Sequence, residues 1–374
     1  MVTGCRYEPA EHDALTTDLR RAAAEYFEGA GRSRRGDARA ALRVLATLAV
    51  CVGSYALLLG PWIPRGVGRL APALSLGLGL ASLGMNVGHD ALHGALSRRA
   101  WVNSLAGLAF DVMGASSYVW RRSHNATHHA FTNVPGLDPD LDFGAALRLA
   151  PWAPWRPWHR AQFLYAPFAY ALAGIKWHLH TDVALLRQPA LGPFHPQRHR
   201  AAALLGVALT KVVAALWSVV IPCWVLQPTP REFVTGYLVT LLTAGFALGM
   251  TFQLAHAVDT VEHPTPDATG LLPGSFMREQ LRATANFACD QPAVAWLCGG
   301  LNHQVEHHLF PQVCSVHYPA LRSRVRAVCA RHGVAYREAP TVRAAFVSHF
   351  RHLRALGRPP AHAPASPDAT PARR

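Results

Sequence analysis

Charge is scarce in this chain. Asp, Glu, Lys and Arg make up 16% of its 374 residues, and they avoid whole stretches. Residues 44–63 run 20 positions without a charge, residues 70–87 run 18, and residues 233–255 run 23. A fourth stretch, residues 201–226, is broken only by Lys211, whose long stem can snorkel or face the protein interior. A helix needs about 20 such residues to cross a hydrocarbon core. A soluble protein's core helix can supply one run of this kind, but four imply a multi-span membrane protein. Before residue 44 there is no early apolar core, so no signal peptide is expected. The seven cysteines include no C-x-x-C pair, and Cys51 and Cys223 fall inside the apolar runs. That pattern speaks against a disulfide framework or a zinc knuckle.

The other scarcity concerns lysine and the placement of arginine. Only Lys176 and Lys211 are lysines among the 36 cationic residues, a bias expected of a GC-rich bacterial genome. Between the first and second runs lie only Arg65 and Arg69, and between the third and fourth only Arg231. The positive-inside rule then puts both termini, residues 88–200 and residues 257–355 in the cytoplasm. The expected architecture is an all-α integral membrane protein, with four transmembrane helices in two hairpins beneath a cytoplasmic helical cap. Residues 1–40 read as an N-terminal arm with a short amphipathic helix near 14–27. Residues 41–355 form the membrane domain, and the Pro/Ala-rich residues 356–374 read as a disordered tail. Residues 88–200, rich in Trp and Pro, read as interfacial, and residues 320–332 as a basic helix. The net charge of +14 suits anionic lipid headgroups or a phosphate-bearing substrate; no nucleic-acid motif accompanies it.

What the chain has in quantity is histidine, 21 residues, gathered in clusters. "HDALH" places His89 and His93 four apart after the second run, on one helical face. "HNATHH" supplies His124, His128 and His129, an i,i+4 pair with an adjacent ring. "NHQVEHH" supplies His303, Gln304, His307 and His308, and His256 closes the fourth run. The pattern H-x-x-x-H-H occurs twice, which chance does not produce at this histidine frequency. All the clusters fall on the same side of the expected membrane, so they can converge on metal.

Neutral imidazole suits Zn, Fe, Cu and Ni. A structural zinc takes four ligands, so a larger set implies two metals. H-E-x-x-H is absent, and no glutamate has a histidine three residues later, which removes the bundle-type di-iron pattern. The acidic "DPDLDFG" fails as a calcium loop, because its Gly144 is one position late. A histidine-rich dinuclear site remains, with redox-active iron its natural occupant. Asp90, Glu306 and Asp138 are placed to accept the outer N–H of bound imidazoles, and Asp138 equally to cap a turn. His303 and Asn302 stand beside the third cluster with their part left open by the spacing.

The ordered boxes, His89-DAL-His93, His124-NAT-His128-His129 and Gln304-VE-His307-His308, resemble those of the integral-membrane fatty-acyl desaturases and their hydroxylase relatives. The flanking text "GHDALHG", "WRRSHNATHHAFTNVPGLDPDLD" and "GGLNHQVEHHLFP" is similar as well, and the likeness covers roughly residues 40–340. The resemblance implies two iron ions held by the box residues His89, His93, His124, His128, His129, Gln304, His307 and His308. His256 is implied as a further ligand and His263 as a weaker candidate. It also implies O2 as co-substrate and a cis double bond made in an acyl chain, carried on CoA or in a phospholipid. Glutamine opening the third box resembles the front-end subgroup, which acts between an existing double bond and the carboxyl end. The H-P-G-G motif of a fused cytochrome b5 domain does not occur. Electrons are therefore expected from a separate ferredoxin-like or cytochrome b5-like donor with its reductase. A bacterial cell membrane, with its lipids as partners, is the expected location. Hydroxylation, epoxidation or acetylenation would use the same site. A non-catalytic metal transporter would need ionisable residues along the spans, where only Lys211 qualifies.

Overall fold

The computed structural model describes residues 5–9, 13–192, 194 and 196–360. Four of its helices are long and apolar enough to cross a membrane: Ala38–Leu59, Gly66–Leu92, Ala201–Leu226 and Pro230–His256. Each overlies one of the largely uncharged runs, and the first and fourth start at a capping side chain. Asp37 starts the first by accepting from the backbone N–H groups of Arg39 and Ala40. Thr229 and Glu232 form a capping box around Pro230 at the start of the fourth. The first span leaves Leu45 and Val52 about two-thirds exposed (65% and 67%). A surface that apolar matches lipid rather than water.

The second span is central and packs on both the first and the fourth. The fourth also lies along the helix Gln162–Leu179. That helix falls in the segment read from sequence as interfacial. At their crossing Gly174 and Gly245 face each other. A Cβ on Gly174 would sit 2.2 Å from the Leu241 carbonyl oxygen, and one on Gly245 would sit 2.2 Å from that of Ala171. Only glycine at both positions lets the backbones approach this closely. The third span leans on the short helices Ala109–Val112 and Ser117–Trp120 rather than chiefly on its sequence neighbour. Lys211 in that span pairs with Asp182 at 2.7 Å, so its charge faces protein rather than lipid.

The all-α expectation needs amendment. Arg6–Glu8 pairs in parallel with Leu271–Ser275, and Asn286–Phe287 with Glu338–Ala339. These short ladders tie distant loops together. Helix Ala14–Glu28 buries Leu15, Leu19 and Phe27. Leu15 and Leu19 join Leu281, Val305, Leu309 and Val325 in one apolar cluster. The N-terminal arm thus clamps the short helix Gln304–Leu309 from behind. The basic helix spans Tyr318–Arg331. A last helix, Val342–Leu356, reaches the start of the expected tail, whose residues 361–374 lie outside the described residues.

Candidate metal centre

The helices at the first two histidine boxes are locally widened. Gly84–His89 and Arg121–His128 are π-helical, a distortion common at functional sites. In the second box the His129 N–H bonds the His124 carbonyl, a five-residue step. This corrects the i,i+4 reading of that box. His124 closes on His129, with the two Nε2 atoms 3.2 Å apart, while His128 turns to another set of rings.

The third box reaches the first through glycine. Gly299 and Gly300 both have positive φ (62° and 81°). A Cβ on Gly299 would stand 2.5 Å from the Met85 carbonyl oxygen, inside the first π segment. The glycine pair in "GGLNHQ" therefore lets this loop lie against the second span, after which Gln304–Leu309 forms a helix with all six residues buried.

The rings make two histidine groups of potential ligand atoms: His89, His93, His124, His129 and His307 form one, and His128, His256 and His308 the other, while a further group sets His124 and His128 against Asp140. In the first, the Nε2 atoms of His129 and His307 stand 2.9 Å apart. In the second, the amide Nε2 of Gln304 lies 2.9 Å from Nε2 of His256 and 3.4 Å from Nε2 of His308. Nine of the expected positions thus converge.

Four of the outer nitrogens have a polar partner, while Nδ1 of His89, His129 and His256 has none among the described residues. His128 Nδ1 donates to Asp138 at 2.9 Å and His124 Nδ1 to Asp140 at 2.9 Å. His308 Nδ1 meets Gln280 Oε1 at 2.7 Å, and His307 Nδ1 meets the Tyr318 hydroxyl at 3.1 Å. Protonation at Nδ1 leaves Nε2 as a lone pair facing inward, the tautomer a metal ligand needs. Burial holds His93, His124, His129, His307 and His308 well below the usual imidazole range, and neighbouring rings add to the effect. His128 is also penalised by burial, but the Asp138 carboxylate outweighs this and raises it. Buried Nε2 atoms of His93 and His128 have no hydrogen-bond partner, and neutral rings turn lone pairs toward one another at hydrogen-bond distance. Cations bound in the two groups would satisfy these atoms, so the donor set fits metal.

Some expected neighbours do something else. Asp90 accepts from Ser315 N–H (3.1 Å), Ser315 Oγ (2.9 Å) and Cys314 Sγ (3.1 Å), and stays 3.9 Å from His89 Nδ1. It fastens the first box to the loop behind the third. Glu306 accepts from Asn286 and from the Tyr336 hydroxyl, both at 2.8 Å, and touches no ring of the two groups. Asn302 donates to the Phe287 carbonyl at 3.1 Å. His303 begins the third-box helix with both ring nitrogens unpartnered, outside both groups. His263 stacks on His352, also away from them. Asp138 does both jobs foreseen for it, capping Pro139–Leu141 while accepting from His128. Sequence reasoning passed over Asp140, Gln280 and Tyr318. Only Asp140 carried a local signal, its place in "DPDLD".

A cavity of about 330 Å³ opens onto His89, His124 and Gln304. Its walls include the apolar Phe110, Trp120, Leu248 and Phe252, and it also meets Lys176, His180 and Gln188. A long apolar molecule with a polar end matches such a lining.

The family described as fatty acid desaturase matches residues 67–340 of the chain. The chain is 34% identical over 342 residues to the sn-1 linoleoyl-lipid 6-desaturase of Synechocystis sp. (strain ATCC 27184 / PCC 6803 / Kazusa), covering 89% of this chain and 92% of that protein. It is 29% identical over 346 residues to the protein of the same description from Arthrospira platensis, covering 91% of each. It is also 32% identical over 287 residues to the acyl-lipid (8-3)-desaturase of Physcomitrium patens, covering 76% of this chain and 60% of that protein.

Proposed function

The chain belongs to the fatty acid desaturase family, and on that premise we propose that it inserts a cis double bond into a lipid-linked acyl chain, between an existing double bond and the carboxyl end. It is an oxidoreductase of fatty-acyl chains. The observation that carries the proposal is the pair of converging histidine groups beside an apolar cavity. His89, His93, His124, His129 and His307 would hold one iron ion, and His128, His256 and His308 the other, with Gln304 beside the second. Bound iron would supply activation of O2, whose reduction to two water molecules takes two electrons from a separate donor, two protons from solvent and two hydrogens from adjacent methylenes.

The protein's own residues do the rest. Asp138, Asp140, Gln280 and Tyr318 fix ring orientation and keep Nε2 unprotonated. Phe110, Trp120, Leu248 and Phe252 line the cavity beside the site with apolar surface. That lining suits a methylene chain and excludes water. Lys176 and His180 offer polar contacts for the carboxyl or headgroup end. The relatives' descriptions as acyl-lipid enzymes favour a phospholipid- or glycolipid-bound chain over a CoA thioester.

The arginine distribution supports two membrane hairpins with both termini and the histidine-bearing cap in the cytoplasm of a bacterial cell. It also supports a membrane domain of residues 41–355 following a short arm. A ferredoxin-like or cytochrome b5-like protein would deliver electrons to that cytoplasmic face.

Mass spectrometry of lipids from an expressing host, with double-bond positions located and a donor supplied, tests this reading. A new double bond on the carboxyl side of an existing one is expected. A hydroxylated or epoxidised chain would redirect the assignment, and unchanged lipids with iron-loaded protein would refute it.

A further inference from the structure

At the ends of the spans away from the histidines, a cavity of about 550 Å³ opens among all four membrane helices. The helices Gly66–Leu92 and Pro230–His256 each have 27 residues, about 40 Å at 1.5 Å per residue. They carry histidines at one end and this cavity toward the other. Tyr55, Leu76, Trp217, Phe233 and Tyr237 line it with largely apolar surface. Protein interiors pack at the density of organic crystals, so a void of this size inside a bundle is a place for a guest. In a bilayer the guest at hand is an acyl chain.

The rim adds charge. Arg65, Arg69 and Arg231 are the only Lys or Arg in residues 60–69 and 227–232, and all three line this one cavity. The sole acidic residue there, Glu232, is engaged by the N–H and hydroxyl of Thr229 at 3.0 and 2.9 Å. Arg69 donates from Nη2 to the Gly60 carbonyl at 3.3 Å, and its buried Nε has no hydrogen-bond partner among the described residues. The positive-inside bias leaves few cations in such loops, and here all three meet at one cavity. Guanidinium groups match phosphate in geometry and charge.

We propose that this cavity binds one anionic glycerophospholipid from the leaflet away from the histidines. Its phosphate lies among Arg65, Arg69 and Arg231, and an acyl chain fills the cleft between the third and fourth spans. This lipid is held by the bundle and is not the substrate, because the histidines stand at the other ends of the same helices. The site therefore stands independently of the catalytic reading.

Native mass spectrometry of the full-length protein, exchanged against vesicles of phosphatidylcholine alone or mixed with phosphatidylglycerol, tests it. The wild type should retain one phosphatidylglycerol and no matching phosphatidylcholine. The combined substitution Arg65→Gln, Arg69→Gln and Arg231→Gln should weaken that retention by about tenfold or more. Gly236 lines the cavity with open space beside its Cα, so Gly236→Phe should plug the cleft and also remove the lipid. Because it leaves the arginines in place, it decides the matter even if the triple variant fails to fold. Equal retention of both lipids by the wild type, or undiminished phosphatidylglycerol on Gly236→Phe, would overturn the proposal.

Discussion

The side-chain amide of Gln304 reaches the ring of His256, Nε2 to Nε2 at 2.9 Å, across 48 positions of sequence. The ring of His303, one residue earlier, belongs to neither histidine group. Since amide nitrogen and oxygen exchange places by a simple flip, the same position can present the carbonyl oxygen to a cation. Gln304→Ala is therefore expected to purify with less iron and to lose about tenfold to a hundredfold in activity. His303→Ala should keep its iron. Metal analysis of the two purified variants, side by side, separates them.

Carboxylates near the boxes should fall into two classes. Asp138→Asn and Asp140→Asn disturb imidazoles directly and should cost roughly tenfold to a hundredfold in activity with the fold intact. Asp90→Ala instead strands three buried donors, at a cost of about 1–3 kcal/mol in stability. Thermal unfolding in detergent should show a lowered midpoint for Asp90→Ala and little change for Asp140→Asn.

Glu306 gives a pH dependence of defined sign. Burial pushes its carboxyl up from 4.5 to about 7 in the folded protein. Between those values the folded state keeps a proton that the unfolded chain has released, so stability falls as pH rises through this window. Glu306→Gln cannot titrate and should flatten that part of the stability profile. An unchanged slope between the two proteins would refute the assignment.

The crossing of Gly245 over Gly174 leaves no space for a methyl group. Gly245→Ala should destabilise the protein by about 2 kcal/mol or more despite the gain in helix propensity. Gly206, in the third span with nothing within 4 Å of its added Cβ, is the control; Gly206→Ala should be neutral or mildly stabilising. Unfolding midpoints of the two variants provide the comparison.

One histidine from each group completes the series. His128→Ala and His307→Ala are both expected to abolish new double bonds in host lipids. His332→Ala should leave them unchanged, because its ring pairs with Asp18 of helix Ala14–Glu28 at 2.9 Å. Loss of activity in the His332 variant alone would point to a site other than the one described.

Several features were readable before any coordinates. The four spans follow from uncharged length, which depends on nothing but neighbouring residues. The box histidines announced themselves by recurrence. Helix Gln162–Leu179 went unseen within the stretch read as interfacial, because the internal Pro167 and the Trp and Pro just upstream obscure helical periodicity. Its identity rests on the close approach to Gly245, a contact 71 positions away. Asp90 and Glu306 looked like partners of imidazoles because they adjoin them in sequence, yet a side chain on a helix points away from its immediate neighbour. Asp140, Gln280 and Tyr318 act on rings brought to them by folding.

The sequence by itself determined that this protein crosses a membrane and gathers enough imidazoles for metal chemistry, since composition and short-range spacing settle both. Only the tertiary structure decided how those imidazoles divide. The π-helical step at Arg121–His128 sends His129 to one group and His128 to the other. The Gly299–Gly300 turn brings the third box against the first. Both are features of backbone register that short-range spacing does not specify, and contacts between residues far apart in the chain accompany them.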